Sequence, residues 1–297
     1  MNVLISGATG LIGTALTNSL SGKGHDVVRL TRSPRTHADV GWDPERGQLD
    51  PSRLEDVDAV VHLAGESIAE GRWNEAKKRR ILESRERGTR LLAETVAGLA
   101  NPPRVMVSAS AIGYYGDRGN ELLREESGPG NLFLSRVCEV WEAAADPARE
   151  AGVRVVHPRF GIVLSTSGGA LGATLPIFRL GGGGKIGSGE QYWSWVHLDD
   201  VVGAIEHALT TDSLQGPVNV TAPNAPTNAE YTKVLGGVLG RPTILPLPAP
   251  AARLVVGEMA DELLLPSARV EPAKLRETGY DYRQPDLEGA LRDLLGK

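Results

Sequence analysis

The chain has 297 residues and 41% hydrophobic content, enough for one large α/β domain or two modest ones around a sizeable core, which excludes disorder. Its 32 Lys and Arg against 37 Asp and Glu leave a formal net charge of -5, which argues against a general nucleic-acid or membrane-surface binder. The single cysteine, Cys138, excludes an intrachain disulfide and a cysteine-based zinc site; no metal site is expected, and a reducing, cytoplasmic setting fits best.

Met1 runs straight into the strand-like Asn2-Val3-Leu4-Ile5, with no charged-then-apolar leader, and no apolar run approaches the roughly 20 residues needed to span a bilayer. The expectation is a soluble protein that stays inside the cell. Val3 to Ile5, Val27 to Leu30, Ala59 to Leu63, Val105 to Val107 and Val153 to Val156 read as buried strands. Leu11 to Leu20, Ile81 to Leu99 and Leu132 to Ala145 read as the helices between them. This βαβ alternation predicts an α/β fold with a doubly wound parallel sheet. After Leu164 the pattern loosens into Gly-rich loops, and Pro242 to Pro250 carries four prolines. A smaller region is expected from 164–190 and 223–297, folded over a dinucleotide-binding domain made of 1–163 and 191–222. Helical patterns near Glu230 to Leu239 and Leu287 to Leu295 belong to the smaller part.

The strongest signal is Val3-Leu4-Ile5-Ser6-Gly7-Ala8-Thr9-Gly10-Leu11-Ile12-Gly13, a strand entering a GxxGxxG loop that opens an apolar helix. Gly7 permits the tight turn, Gly10 lets backbone approach a pyrophosphate, and Gly13 brings helix and strand together. The second strand ends at Thr31-Arg32, with Arg35 close behind, where a site for the unphosphorylated cofactor places an acid to accept from the ribose 2′-hydroxyl. A guanidinium there clasps a 2′-phosphate instead, so NADP is the expected cofactor. The third strand, Val60-Val61-His62-Leu63-Ala64-Gly65-Glu66, ends in small residues suited to lie against a cofactor, and His62 reads as a packed core histidine. Residues 75 to 90 hold seven basic and three acidic side chains, which reads for the most part as a solvated helix face.

The glycine loop, the Leu-Ala-Gly strand end and Ser108-Ala109-Ser110-Ala111 resemble the extended short-chain dehydrogenase/reductase superfamily. Trp42-Asp43-Pro44, Arg72-Trp73, Ser84-Arg85, Ser110 to Gly116, Trp141-Glu142, and Gly187-Ser188-Gly189 leading to Trp195-Val196-His197 resemble its atypical "epimerase family protein" branch. The tail from about Leu247 through Glu271-Pro272-Ala273-Lys274-Leu275 resembles that branch's C-terminal module. The resemblance implies a seven-stranded Rossmann-type sheet with a smaller C-terminal substrate region. It also implies Gly7, Gly10, Leu11, Ile12 and Gly13 on the pyrophosphate, Thr31 and Arg32 on the adenosine phosphate, and Leu63, Ala64 and Glu66 along the cofactor. Arg85 stands where relatives use a polar helix residue, and Val163 near the nicotinamide.

The superfamily usually works with a Ser or Thr and a Tyr-x-x-x-Lys pair on one helix, the lysine lowering the tyrosine pKa. Ser110 matches the serine. Leu134 and Cys138 stand where the pair belongs, and no tyrosine in the chain has a lysine four residues later. The candidate catalytic residues are Tyr114 (or its neighbour Tyr115) as acid, for which an aromatic packed against substrate or cofactor is the structural alternative, Ser110 fixing a carbonyl, and Glu66 as acid/base where it faces the nicotinamide pocket; Cys138 reads as inert packing. His197 with Asp199 and Asp200 reads as the start of a helix that Asp199 caps. Gly181 to Gly189 reads either as an anion-binding nest or as a lid. The expected function is an NADP(H)-binding oxidoreductase or epimerase-like enzyme of a small polar substrate, nucleotide-sugars among the candidates. The alternative is a binding protein that uses NADP(H) as a structural or redox-sensing ligand without turnover.

Overall fold

Side-chain alternation along the strands explains the architecture of the computed structural model, which describes residues 1–297. In β1 (Asn2–Ser6), Val3 and Ile5 enter one core and Leu4 the opposite one. The same alternation runs through β2 (Asp26–Thr31), β4 (Ala59–His62), β5 (Val105–Ser108) and β6 (Arg154–Phe160), so both faces of the sheet must be covered, while β3 (Val40–Asp43) sends Val40 and Trp42 into the second core only and β7 (Gly216–Val220) sends Val218 and Val220 into the first only. One face receives Leu16 and Leu20 of α1 (Leu11–Gly22) and Val201, Val202 and Ile205 of the helix Leu198–Thr210. The other receives Leu92, Ala93 and Val96 of α2 (Glu75–Ala97).

The seven strands are parallel, in the order β3-β2-β1-β4-β5-β6-β7. Two short strands join them, Gln48–Leu49 antiparallel to β3 and Ser110–Ala111 beside β6. The chain order reverses between β1 and β4, which opens a crevice at the carboxyl ends of these two strands. The doubly wound, Rossmann-type sheet expected from the sequence is present.

A third core lies beyond the sheet. Ile162–Leu164 pairs in parallel with Trp195–His197, and Leu164, Trp193 and Trp195 pack there with Leu171, Leu175, Tyr231, Leu235 and Leu291. Farther along, Arg269–Val270 pairs with Leu122–Leu123, joining the C-terminal part to the middle of the chain. No helix is long and apolar enough to cross a membrane.

Several local readings change. The helix α2 starts at Glu75 because the Asn74 side chain accepts from the Lys77 amide at 2.8 Å, so the basic run lies inside its first turns. Gly169–Arg179 is helical where loops were expected. Asp199 does not cap the helix Leu198–Thr210; the residue before it does, with His197 Nδ1 accepting from the Asp199 amide at 3.1 Å. In the glycine run 181–184, the Gly181 and Gly182 amides donate back to Phe178 O and Ile177 O. Leu245 donates to Gly183 O, Leu247 to Lys185 O, and the Lys185 ammonium is spent on Ser188 O at 3.0 Å.

Candidate dinucleotide site

The loop between β1 and α1 leaves no room for side chains. Gly7 has φ +69, and a Cβ there would meet the Leu63 carbonyl carbon at 2.8 Å. A Cβ on Gly13 would meet Gly7 O at 2.1 Å, so this glycine sets how closely the helix approaches the loop. The first intrahelical bond runs from Thr14 N to Gly10 O, and no side chain caps the helix. The amides of Leu11, Ile12 and Gly13 therefore have no protein acceptor at the positive end of the helix dipole. Those free donors and the bare backbone fit a pyrophosphate. Val163 pairs with Val196 and precedes the turn at Gly168 and Gly169, where a Cβ would meet the Leu11 side chain at 4.0 Å.

The opposite wall is fixed by a buried clamp. Ser6 Oγ accepts from the amides of Leu63 (3.1 Å) and Ala64 (3.2 Å) and therefore donates to His62 Nδ1 at 2.6 Å. The imidazole proton then sits on Nε2, and the ring meets Trp42 edge-on at 5.9 Å. Burial, with a smaller push from the Arg85 charge, brings His62 down to about 4, so it is neutral and structural. Its effect on the site is to hold the Leu63-Ala64 turn beside Gly7.

A cleft of about 780 Å³ runs from Gly7 and Gly10 past Leu63, Ala64 and Glu66 to Thr31, Arg32 and Arg35. Neither Arg32 nor Arg35 has an acidic partner, whereas Arg29 is paired with Asp39 at 2.8 Å. The far wall comes from α2, whose Arg80, Ser84 and Arg87 face the cleft. In sequence the two arginines belong to a charge run that reads for the most part as a solvated face. Only the packing of α2 against the sheet decides which of its charges point inward.

The chemistry-bearing residues gather around a buried ion pair. Glu142, on α3 (Phe133–Ala143), takes Arg159 Nε at 2.7 Å and Nη2 at 2.8 Å, and Ser110 Oγ donates to the same carboxylate at 2.7 Å. Arg159 lies 3.5 Å over the Tyr114 ring and donates to the Tyr115 hydroxyl at 3.0 Å. Burial pushes Tyr115 up to about 12, so it is a fixed phenol that donates to Asn219 Oδ1 at 2.7 Å. Tyr114 is half-buried, stacked on a cation, and its hydroxyl makes no protein hydrogen bond.

Glu66 stands apart. Its carboxylate binds Lys77 at 2.8 Å and approaches Arg80 at 3.5 Å, and the Lys77 hydrogen bond chiefly holds it below the ordinary carboxylate range. Its carbonyl accepts from Arg85 Nη1 at 3.1 Å, and that guanidinium covers the Trp141 ring at 4.8 Å. Ser110 and Tyr114 thus share one cluster, while Glu66 and Arg85 lie between the β4 end and α2.

The model of the "NAD dependent epimerase/dehydratase family" matches residues 3–221, and "Domain of unknown function (DUF1731)" matches 247–294. The chain belongs to the NAD-dependent epimerase/dehydratase family. It is 42% identical over 292 residues to the epimerase family protein Mb2239 of Mycobacterium bovis, covering 97% of this chain and 96% of that one. It is 39% identical over 298 residues to human epimerase family protein SDR39U1, covering 99% and 100%. A crystal structure of human SDR39U1 (isoform 2) with NADPH superposes with a TM-score of 0.92 at 38% identity, each chain covered in full. A nucleoside-diphosphate sugar epimerase from Corynebacterium glutamicum superposes at 0.84 with 37% identity; this chain is covered in full and spans 58% of that one.

On α3, the two residues that the resemblance sets at the Tyr and Lys positions are both buried. Leu134 packs with Trp73, Ile81, Met259 and Leu263, and Cys138 is buried with its thiol pushed up to about 11, chiefly by burial and then by Glu142. The helix has no side-chain cap of its own; Glu262, from the C-terminal module, accepts from the amides of Phe133 (3.1 Å) and Leu134 (3.0 Å). Neither Glu142 nor Arg159 was assigned a role from the sequence. A charged residue inside the apolar β6 was the available signal, because a buried guanidinium requires a carboxylate nearby.

Proposed function

We propose that this chain binds NADP(H) in the crevice between β1 and β4 and acts as an oxidoreductase- or epimerase-like enzyme on a small polar substrate. The cofactor, when bound, supplies hydride transfer, and nucleotide-sugars are the first substrate class to test. One observation carries the cofactor reading: Arg32 and Arg35, both without acidic partners, stand at the end of β2, where a site selective for the unphosphorylated dinucleotide needs an acid. The crystal structure of the human relative with NADPH supports it. The free amides of Leu11, Ile12 and Gly13 take the pyrophosphate, and Thr31 and Arg32 take the 2′-phosphate. Leu63, Ala64 and Val163 are the apolar contacts along the dinucleotide. Calorimetric titration with NADPH and NADH tests the assignment, and equal affinities would overturn it.

On the chemical side, Tyr114 is the residue we assign to the substrate proton, with Arg159 over its ring and Ser110 positioned by Glu142. The single cysteine supports the cytoplasmic setting. A second reading, an NADP(H)-binding protein without turnover, is favoured by the fact that the Ser110 proton is committed to Glu142 and the Glu66 carboxylate to Lys77. Stereospecific loss of label from deuterated NADPH across carbonyl and nucleotide-sugar substrates supports the enzyme, and tight binding without label loss supports the second reading.

A further inference from the structure

The segment between β2 and β3 is exposed from Arg32 to Ala38, yet one buried side chain at its base organises it. Asp39 is 5% exposed. Its Oδ1 accepts from Arg29, with Nε and Nη2 both at 2.8 Å, and its Oδ2 accepts from the amides of Arg35 (2.8 Å) and Thr36 (3.0 Å). From outside, Arg53 Nη2 holds the His37 carbonyl at 2.9 Å, and Thr31 Oγ1 takes the Ser33 amide at 3.2 Å. The chain is thereby folded back so that Arg32 and Arg35 face one cleft with neither guanidinium used elsewhere.

The same carboxylate lines that cleft, and a bare negative charge there would repel a phosphate. The bond to Arg29 removes the conflict: Arg29 neutralises Asp39 and leaves Arg32 and Arg35 as the free cations. An acid is thus present close to the ribose end, but it is turned to its own loop and offers no oxygen to a ribose hydroxyl. We propose that Asp39, without touching the cofactor, sets the preference for a 2′-phosphorylated dinucleotide by holding this loop in a phosphate-binding shape, with Arg29 as its counter-charge. This inference rests on the NADP(H) reading above. Asp39 and Arg29 are positioning residues here.

The test is calorimetric titration of the full chain and its Asp39→Asn and Arg29→Gln variants with NADPH, NADH, 2′,5′-ADP and 5′-AMP, with circular dichroism to confirm folding. Asp39→Asn cannot accept from four donors, and the loss of the preformed arginine pair should weaken NADPH and 2′,5′-ADP by about tenfold or more. NADH and 5′-AMP should stay within about twofold, because the glycine loop is untouched. Arg29→Gln, on β2 with a side chain 42% exposed and therefore able to fold, should lower the same two affinities by leaving the Asp39 charge uncompensated. Parallel loss for all four ligands would assign Asp39 to general folding and overturn the proposal. Wild-type preference in both variants would overturn it while leaving the cofactor reading intact. Equal NADPH and NADH affinities in the unmodified chain would sink both.

Discussion

Replacing Glu262 by alanine removes two hydrogen bonds that tie the C-terminal module to the first turn of α3, those from Phe133 N and Leu134 N. No other side chain caps that end, so both amides lose their acceptor. A lost N-cap costs about 0.5–2 kcal/mol, and a carboxylate at the positive end of a helix dipole contributes a further 0.3–1 kcal/mol. Glu262 is half-buried beside an apolar cluster, which points to about 1.5 kcal/mol in all. A chain of 297 residues has an unfolding entropy of roughly 0.6 kcal/mol per degree, so the melting temperature should fall by about 2–3 °C. Hydrogen exchange should quicken at Phe133, Leu134 and the following turn, with little change at β1 or α1. Glu262→Gln, which keeps one acceptor oxygen, should fall between the two. An unchanged melting temperature together with unchanged exchange at Phe133 and Leu134 would refute the idea that this module braces the helix.

Arg32→Ala with Arg35→Ala should weaken NADPH by tenfold or more, since one charge-assisted contact is worth about 1.5–3 kcal/mol, and leave NADH unaffected; calorimetry at fixed salt reads both. Gly10→Val should abolish dinucleotide binding in a folded protein, because the new Cβ lies 3.3 Å from Gly7 O, a contact that a small shift relieves, while the branched side chain fills pyrophosphate space; circular dichroism with fluorescence titration checks it. The Cys138 thiol, pushed up to about 11, should resist alkylation at pH 8 until the chain unfolds, as mass spectrometry would show. His62, brought down to about 4, stays neutral in the folded chain, whereas unfolded histidine binds a proton below pH 6.5. The unfolded state therefore gains protons as pH falls from 6.5 towards 4, and the His62 contribution to stability declines by up to about 1.4 kcal/mol per pH unit. Imidazole nitrogen NMR should show Nδ1 unprotonated at pH 5, and a midpoint near 6.5 would contradict the buried clamp.

What sequence could reveal followed from local periodicity. The alternation of Val3, Leu4 and Ile5, the GxxGxxG loop and the small residues after β4 carry their meaning within a few positions, and the parallel sheet follows from them. The Ser6 clamp on Leu63 and Ala64 spans more than fifty residues and has no local mark. In α2 the basic residues look alike in sequence; Arg80 and Arg87 differ from the rest through the helix's rotation on the sheet. Asp199 reads as a cap because Asp is a preferred cap residue, but it lies inside the first turn, where its own amide donates to His197 Nδ1. The Ser110–Glu142–Arg159 cluster joins three separate elements, so no spacing rule points to it.

The short pairing of Leu122–Leu123 with Arg269–Val270 also sets an order of events during synthesis. These partners lie 147 positions apart, matching the separation between Arg124 and Glu271, which are bonded beside them. At the usual 5–20 residues per second, the middle of the chain waits roughly 7–30 s for the partner that will cover it. The crevice is different. The cleft from Gly7 to Arg87 is lined wholly by the first third of the chain, and of the proposed cofactor contacts only Val163 comes later. The growing polypeptide therefore carries a nearly complete dinucleotide cradle while the residues that will brace α3 are still untranslated. A dinucleotide captured at that stage stabilises the early sheet by mass action and gives the late-arriving tail a prepared surface on which to dock.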